Sequence, residues 1–97
     1  MTPAECFGAN LKRARRHVRL SQEDVALRAS LHRTEIGLLE SGQRRPRIDT
    51  MAKLAAAVEA RPDELMEGIA WVCPDLRGGS FVVSDTHRTL FRIMPPT

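Results

Sequence analysis

Arg33, Thr34 and Leu38 lie within six residues of one another, on a stretch that reads as one short helix. Between them they offer a planar guanidinium fork, a hydroxyl with a methyl beside it, and a branched apolar tip. Each suits a group on the edge of a nucleic-acid base. The fork matches guanine O6 and N7, worth about 1–3 kcal/mol of discrimination, and the apolar tip suits a thymine methyl. The guanidinium also suits a phosphate, because many protein–DNA hydrogen bonds end there. Leu38 equally fits a plain surface position. Gly37 lies between them, has no side chain, and so lets sugar or phosphate approach, at about 1 kcal/mol of helix propensity. Just beyond the helix, Arg44, Arg45 and the backbone amides after Gly42, Gln43 included, can clamp phosphate. A solvated basic loop is the plainer alternative.

The elements that position these residues follow from periodicity. Thr2-Pro3-Ala4-Glu5 reads as a capped helix start. Phe7, Leu11, Ala14 and Val18 form one apolar face behind it, with Lys12, Arg13, Arg16 and Arg19 off the stripe. Ser21 opens a second helix with Asp24 three residues later. Its Val25, Ala26 and Ala29 face inward, and Leu27 faces out. Ala29-Ser30-Leu31 is a tight turn that requires a left-handed residue, and Ser30 stands where glycine is favoured. Leu31 plugs the core. His32 takes the cap position of the third helix, Arg33 to Glu40, and is read as a cap or a phosphate neighbour. Ile36 and Leu39 point inward, and Gly42 suits the closing residue. Glu35 is read as closing a capping box with His32 or repelling wrong registers, not as a base reader. Pro46 ends helix in the basic loop. A fourth helix is expected over about 49–59, with a core stripe of Ile48, Met51, Leu54, Ala55 and Val58, and a fifth over 62–66. From Ile69 the period changes to two: Ile69, Trp71 and Cys73, then Phe81 and Val83, predict a β-hairpin with a six-residue loop, Pro74–Gly79. A third strand over 88–94 is a weaker expectation.

The charge is uneven. Residues 1–47 carry ten Lys/Arg against five Asp/Glu, and residues 48–97 carry five against seven. A basic half suggests a polyanionic partner, with a solvated basic face as the alternative. Cys6 and Cys73 lack CxxC spacing and are read as free thiols. The three histidines show no metal-ligand spacing. No Ser/His/Asp order, Gly-rich phosphate loop or metal cluster suggests an enzyme, no cofactor is implied, and the chain is short for a lined pocket. With no long apolar run, a cytoplasmic protein away from the membrane is expected.

Residues 7 to 67 resemble the lambda-repressor-like helix-turn-helix domain of the Cro or XRE type. The motifs carrying the resemblance are F-x-x-x-L-K-R-A-R, L-S-Q-E-D-V-A, I-x-x-L-E-S-G-x-R-x-P, D-T-M-x-K-L-A-x-A-V and P-D-E-L, in that order. The resemblance implies a mainly α fold, a five-helix DNA-binding domain (residues 1–68) with a C-terminal β-hairpin extension (residues 69–97). It implies that helices two and three read double-stranded DNA, that Gln22 bonds a phosphate, and that Arg15 and Glu40 form a largely buried structural ion pair.

The hairpin carries too much apolar surface for a free appendage. Near-palindromic operators, usual for the family, require a two-fold dimer. Ile69, Trp71, Phe81 and Val83 are therefore expected to serve a homodimer interface, with packing on helices four and five of the same chain as the alternative. The expected function is a sequence-specific prokaryotic transcriptional regulator, a repressor, that resides on the nucleoid when bound. The alternative is an antitoxin or a restriction-system controller protein, which binds a small protein partner such as a toxin as well as DNA.

Overall fold

In the computed structural model, which describes residues 1–84, five helices precede one hairpin. They are α1 (Pro3–His17), α2 (Gln22–Ala29), α3 (Arg33–Glu40), α4 (Ile48–Ala57), α5 (Pro62–Leu65), β1 (Ile69–Asp75) and β2 (Gly78–Val83). The third strand expected over 88–94 lies outside the described residues.

The helix starts follow their local chemistry. Thr2 Oγ1 accepts from the Glu5 N–H at 3.1 Å, and Glu5 Oε1 accepts from the Thr2 N–H at 2.8 Å. Ser21 and Asp24 repeat this box at α2, at 3.0 and 2.9 Å. Bonds from the Ser21 backbone and then its hydroxyl hold the Asp24 carboxyl below the usual Asp value. His32 caps α3 as expected, its Nδ1 accepting from the Thr34 N–H at 3.1 Å.

The helix ends repeat a second device. After α1, α2, α3 and α4, paired backbone bonds wrap a left-handed residue: Leu20 N to Arg15 O, Leu31 N to Ala26 O, Gln43 N to Leu38 O and Ala60 N to Ala55 O are the outer bond of each pair. The left-handed residues are Arg19, Ser30, Gly42 and Glu59, with φ of 60°, 55°, 79° and 58°. Three of the four are not glycine, and each carries about 1–2 kcal/mol of strain. Four reversals of this kind fold short helices back on one core, whose packing offsets that strain.

The core joins Phe7 and Leu11 of α1, Val25, Ala26 and Ala29 of α2, Ile36 and Leu39 of α3, Leu54, Ala55 and Ala57 of α4, Val58 just after it, and Leu65 of α5. Leu31 and Met51 pack at its margin. Ile48 departs from the expected stripe, being 89% exposed. Helix α4 begins at this residue, so it lies a turn ahead of the packed part and points past the core. Asn10, which the apolar pattern does not single out, ties α1 to the end of α5: its Nδ2 donates to the carbonyls of Leu65 and Glu67, both at 2.9 Å.

The hairpin pairs Ile69 with Val83 and Trp71 with Phe81, antiparallel. Its connection is tighter than the expected six residues. The ladder runs past a bulge at Cys73-Pro74 to an Asp75–Gly78 pair, leaving only Leu76 and Arg77 in the turn. Pro74 has no N–H to donate and suits a bulge. Asp75 accepts from the Arg77 N–H at 2.8 Å, and Gly78 takes a φ of 125°. The main helical neighbour of the hairpin is α1, with Ile69 reaching the core margin.

Helices α1 and α3 cross at Gly8. A Cβ there would sit 2.4 Å from the carbonyl oxygens of Leu39 and Glu40, inside any van der Waals distance. Gly8→Ala must push the two backbones apart and should cost at least about 1–3 kcal/mol, the usual range for overpacking. A urea titration followed by circular dichroism measures it, and an unchanged midpoint would refute the close approach.

Candidate nucleic-acid interface

The helix-turn-helix unit is locked by one carboxylate. Glu40, at the end of α3, accepts from Arg15 Nε at 2.6 Å and Nη2 at 3.1 Å, a two-pronged ion pair with the last turn of α1. It also accepts from Gln22 Nε2 at 3.0 Å, the first residue of α2. Arg15 Nη1 donates to the Leu20 carbonyl at 2.9 Å. The side chains of Arg15 and Glu40 are only 11% and 4% exposed, so the pair is desolvated and fully engaged. Three helices are thereby held in one relative orientation.

That orientation opens a shallow groove of about 340 Å³ along α3. Gln22, Arg33, Thr34, Gly37, Leu38, Ser41 and Gln43 line it. All three residues expected at base edges thus share one concave face with three of those expected at phosphate: Gln22, Gly37 and Gln43. The sequence reading omitted Ser41. Its hydroxyl donates to the Leu38 carbonyl at 3.2 Å and accepts from Gln43 Nε2 at 2.9 Å, which turns Gln43 along the groove. Helical spacing from Thr34 through Leu38 to Ser41 was the available signal.

Gly37 is glycine for no reason internal to the fold. An added Cβ would meet nothing nearer than Gln22 Oε1, at an ordinary 3.9 Å. A mid-helix glycine with room for a side chain gives away helix stability. Its missing methyl leaves the wall of the groove open at this point.

The other candidates flank this face. His32 stands exposed at the head of α3, and with Nδ1 accepting the cap bond its Nε2–H is left as a donor. Arg45 is exposed in the loop after α3. Arg44 is exposed too, but its Nη1 is hydrogen-bonded to Glu35 Oε1. Glu35 therefore pairs forward with the loop arginine, and the capping box expected between it and His32 is not formed. An arginine brings a full charge and a fork to that carboxylate, which outcompetes a single backbone N–H. The dimerisation candidates form a separate cluster. Trp71 and Phe81 meet edge to face, with ring centroids 5.0 Å apart and planes at 79°. They remain 55% and 57% exposed. Ile69 and Val83, at the base of the same face, are half-buried.

Cys6 is buried and Cys73 exposed. No helix among the described residues is long and apolar enough to cross a membrane. No group of His, Cys, Asp or Glu among them is arranged to hold a metal ion.

Five short helices around one core, with the second and third set as a reading unit, define a helix-turn-helix DNA-binding domain. Residues 11–65 match the HTH_3 helix-turn-helix family model, and the chain belongs to this family of DNA-binding transcription regulators of the Cro/XRE type. Solved structures agree. The restriction-modification controller protein C.AhdI from Aeromonas hydrophila is 37% identical, with a TM-score of 0.62 over 64% of this chain and 94% of that one. An HTH_3 family transcriptional regulator from Vibrio cholerae is 25% identical, with a TM-score of 0.62 over 65% of this chain and 35% of that one. The clp gene regulator ClgR from C. glutamicum shares the fold at 18% identity, with a TM-score of 0.65 over 68% of this chain and 86% of that one. No curated protein matches the sequence.

Removing one partner of the desolvated pair strands the other. Glu40→Ala leaves the Arg15 charge buried and frees Gln22, and should destabilise the fold by about 3–5 kcal/mol. Chemical denaturation gives the value. A loss below about 1 kcal/mol would mean that the pair is ornamental.

Proposed function

We propose that this protein is a sequence-specific operator-binding regulator that acts as a homodimer and represses transcription by occupying sites polymerase needs. The observation that carries this reading is the shared groove: Arg33, Thr34 and Leu38 line it together, beside a glycine that the fold does not require. In this reading α3 enters the major groove, with its N-terminal half against the bases. Arg33 takes a guanine, Thr34 and Leu38 take neighbouring edges, and Leu38 covers a thymine methyl. Gln22, His32, Gln43, Arg44 and Arg45 meet phosphate, and Gly37 lets the backbone of the DNA come close. Such contacts position the protein while the base contacts specify the site.

Dimerisation is assigned to residues 69–97 and DNA reading to residues 1–68. Support comes from the Trp71–Phe81 pair, which continues the line of Ile69 and Val83 outward from the core margin and is left more than half exposed. A second copy laid on that face would cover both rings, and its two-fold symmetry would match a near-palindromic operator.

The likeness to C.AhdI supports a narrower second reading, a controller protein of a restriction-modification system. The two readings share the interface and differ in the genes served. Reporter expression from the promoter neighbouring this gene, with and without an adjoining methyltransferase and nuclease pair, separates them.

Selection of bound duplexes from a random library tests the DNA reading. It should return a two-fold related site. If a dimer neutralises roughly eight phosphates, the slope of log affinity against log salt should be about −7. Arg33→Ala should relax preference at one guanine. Gly37→Ala should raise thermal stability by up to about 1 kcal/mol while weakening DNA binding. Binding that ignores salt would exclude the reading, and an equal loss on every sequence would move Arg33 to phosphate. For the dimer, Trp71→Ser with Phe81→Ser should convert the full chain to monomer in sedimentation equilibrium. Retention of the dimer would place the interface elsewhere.

A further inference from the structure

The three arginines nearest the reading helix are not equivalent. Among the described residues, Arg33 and Arg45 have no ion-pair partner, whereas Arg44 is held by Glu35. Glu35 lies on the flank of α3 next to Leu38 in helical angle, between the groove face and the core face. Its side chain is only 23% exposed, so the carboxylate has little freedom. Arg44 belongs to the flexible type of side chain and sits in a loop, so the carboxylate fixes the guanidinium more than the reverse. One amino group of the guanidinium is taken by Glu35, and the remaining donors of the fork, which have no hydrogen-bond partner among the described residues, point in a direction set by that bond.

A free arginine beside DNA finds a phosphate in almost any pose. That is why non-specific affinity follows the number of phosphates neutralised. A guanidinium pinned to the helix flank reaches a phosphate only where the helix is seated deeply enough to bring one to it. We propose that Glu35 is a specificity-determining residue: by holding Arg44 against α3 it makes the phosphate contact of Arg44 conditional on full seating of the reading helix, and so lowers affinity for DNA in general more than for the operator. The inference rests on the DNA-binding reading above and assigns a positive use to an acidic residue at a polyanion-binding surface. Charge repulsion alone would weaken all complexes alike and leave the ratio of specific to non-specific binding unchanged.

The test compares full-length variants on two probes, the duplex selected from the random library and a random-sequence duplex of the same length. Glu35→Gln keeps the shape but releases Arg44. It should tighten random-duplex binding several-fold, steepen its salt slope by about 1, and leave the selected duplex within about two-fold. Arg44→Gln should weaken the selected duplex and leave the random duplex near wild type, whereas Arg45→Gln should weaken both. In the Glu35→Gln/Arg44→Gln double variant the random-duplex gain should vanish. A gain that persists undiminished there would mean that Glu35 acts through bulk charge, and Arg44→Gln behaving like Arg45→Gln would mean that Arg44 is an ordinary clamp. Either result overturns the inference while leaving DNA binding intact. Wild-type protein that binds neither probe would instead overturn the DNA-binding reading.

Discussion

The geometry of the reading unit depends on the Glu40 carboxylate. Placed at the end of α3 and nearly sealed from water, it takes two bonds from Arg15 of α1 and one from Gln22 of α2. Two charges removed from solvent are costly unless their bonds are met, and here both oxygens and the guanidinium are occupied. The same contact that satisfies the charge also sets the angle between α2 and α3. Gly8 makes it reachable, since α1 crosses the end of α3 too closely for any side chain. The groove along α3 is a product of that docking: Gln22 is one of its walls and is itself held by Glu40.

Strain and softness are distributed to suit this arrangement. Arg19, Ser30 and Glu59 take left-handed backbones where glycine would be easier. A packed core shared by all five helices stabilises enough to hold them. Gly37 is the reverse case, a flexible residue in the middle of a helix where the fold has room for a methyl. The first three are tolerated because burial elsewhere compensates. The last weakens α3 without any internal return that the packing shows. The arginines divide in a similar way. Arg15 is structural, Arg33 and Arg45 face solvent with no ion-pair partner among the described residues, and Arg44 is tethered to Glu35. Net positive charge in the first half of the chain is therefore a poor measure of the charge that a polyanion would meet.

Much of this was legible in the sequence because it is governed locally. Caps at Thr2, Ser21 and His32, the left-handed place of Ser30 and Gly42, and the inward set Val25, Ala29, Ile36 and Leu39 all follow from spacing over three or four residues. The boundaries of α3 coincide with those read from the pattern for the same reason. The Arg15–Glu40 pair spans 25 residues and came only from resemblance to a family. Periodicity cannot register two polar residues on different helices. Ile48 looked like the first member of an apolar stripe, but whether a stripe residue is buried depends on where the neighbouring helices end. The hairpin turn also escaped, because the side chain of Asp75 and the φ of Gly78 carry the ladder past a proline that reads as a break.

Sequence alone determined the succession of helices, their caps and turns, and which residue types are available to meet bases and phosphates, since short-range sterics and hydrogen bonds settle those matters. Only the tertiary structure decided which of them share a surface. It joined Gln22 to Arg33, Thr34 and Leu38 through Glu40, added Ser41, and turned Glu35 from a cap toward Arg44. It also left Trp71 and Phe81 paired in the open. Those outcomes depend on how close one backbone can come to another and on which charge finds the nearest partner across the fold, and neither distance is written in the order of the residues.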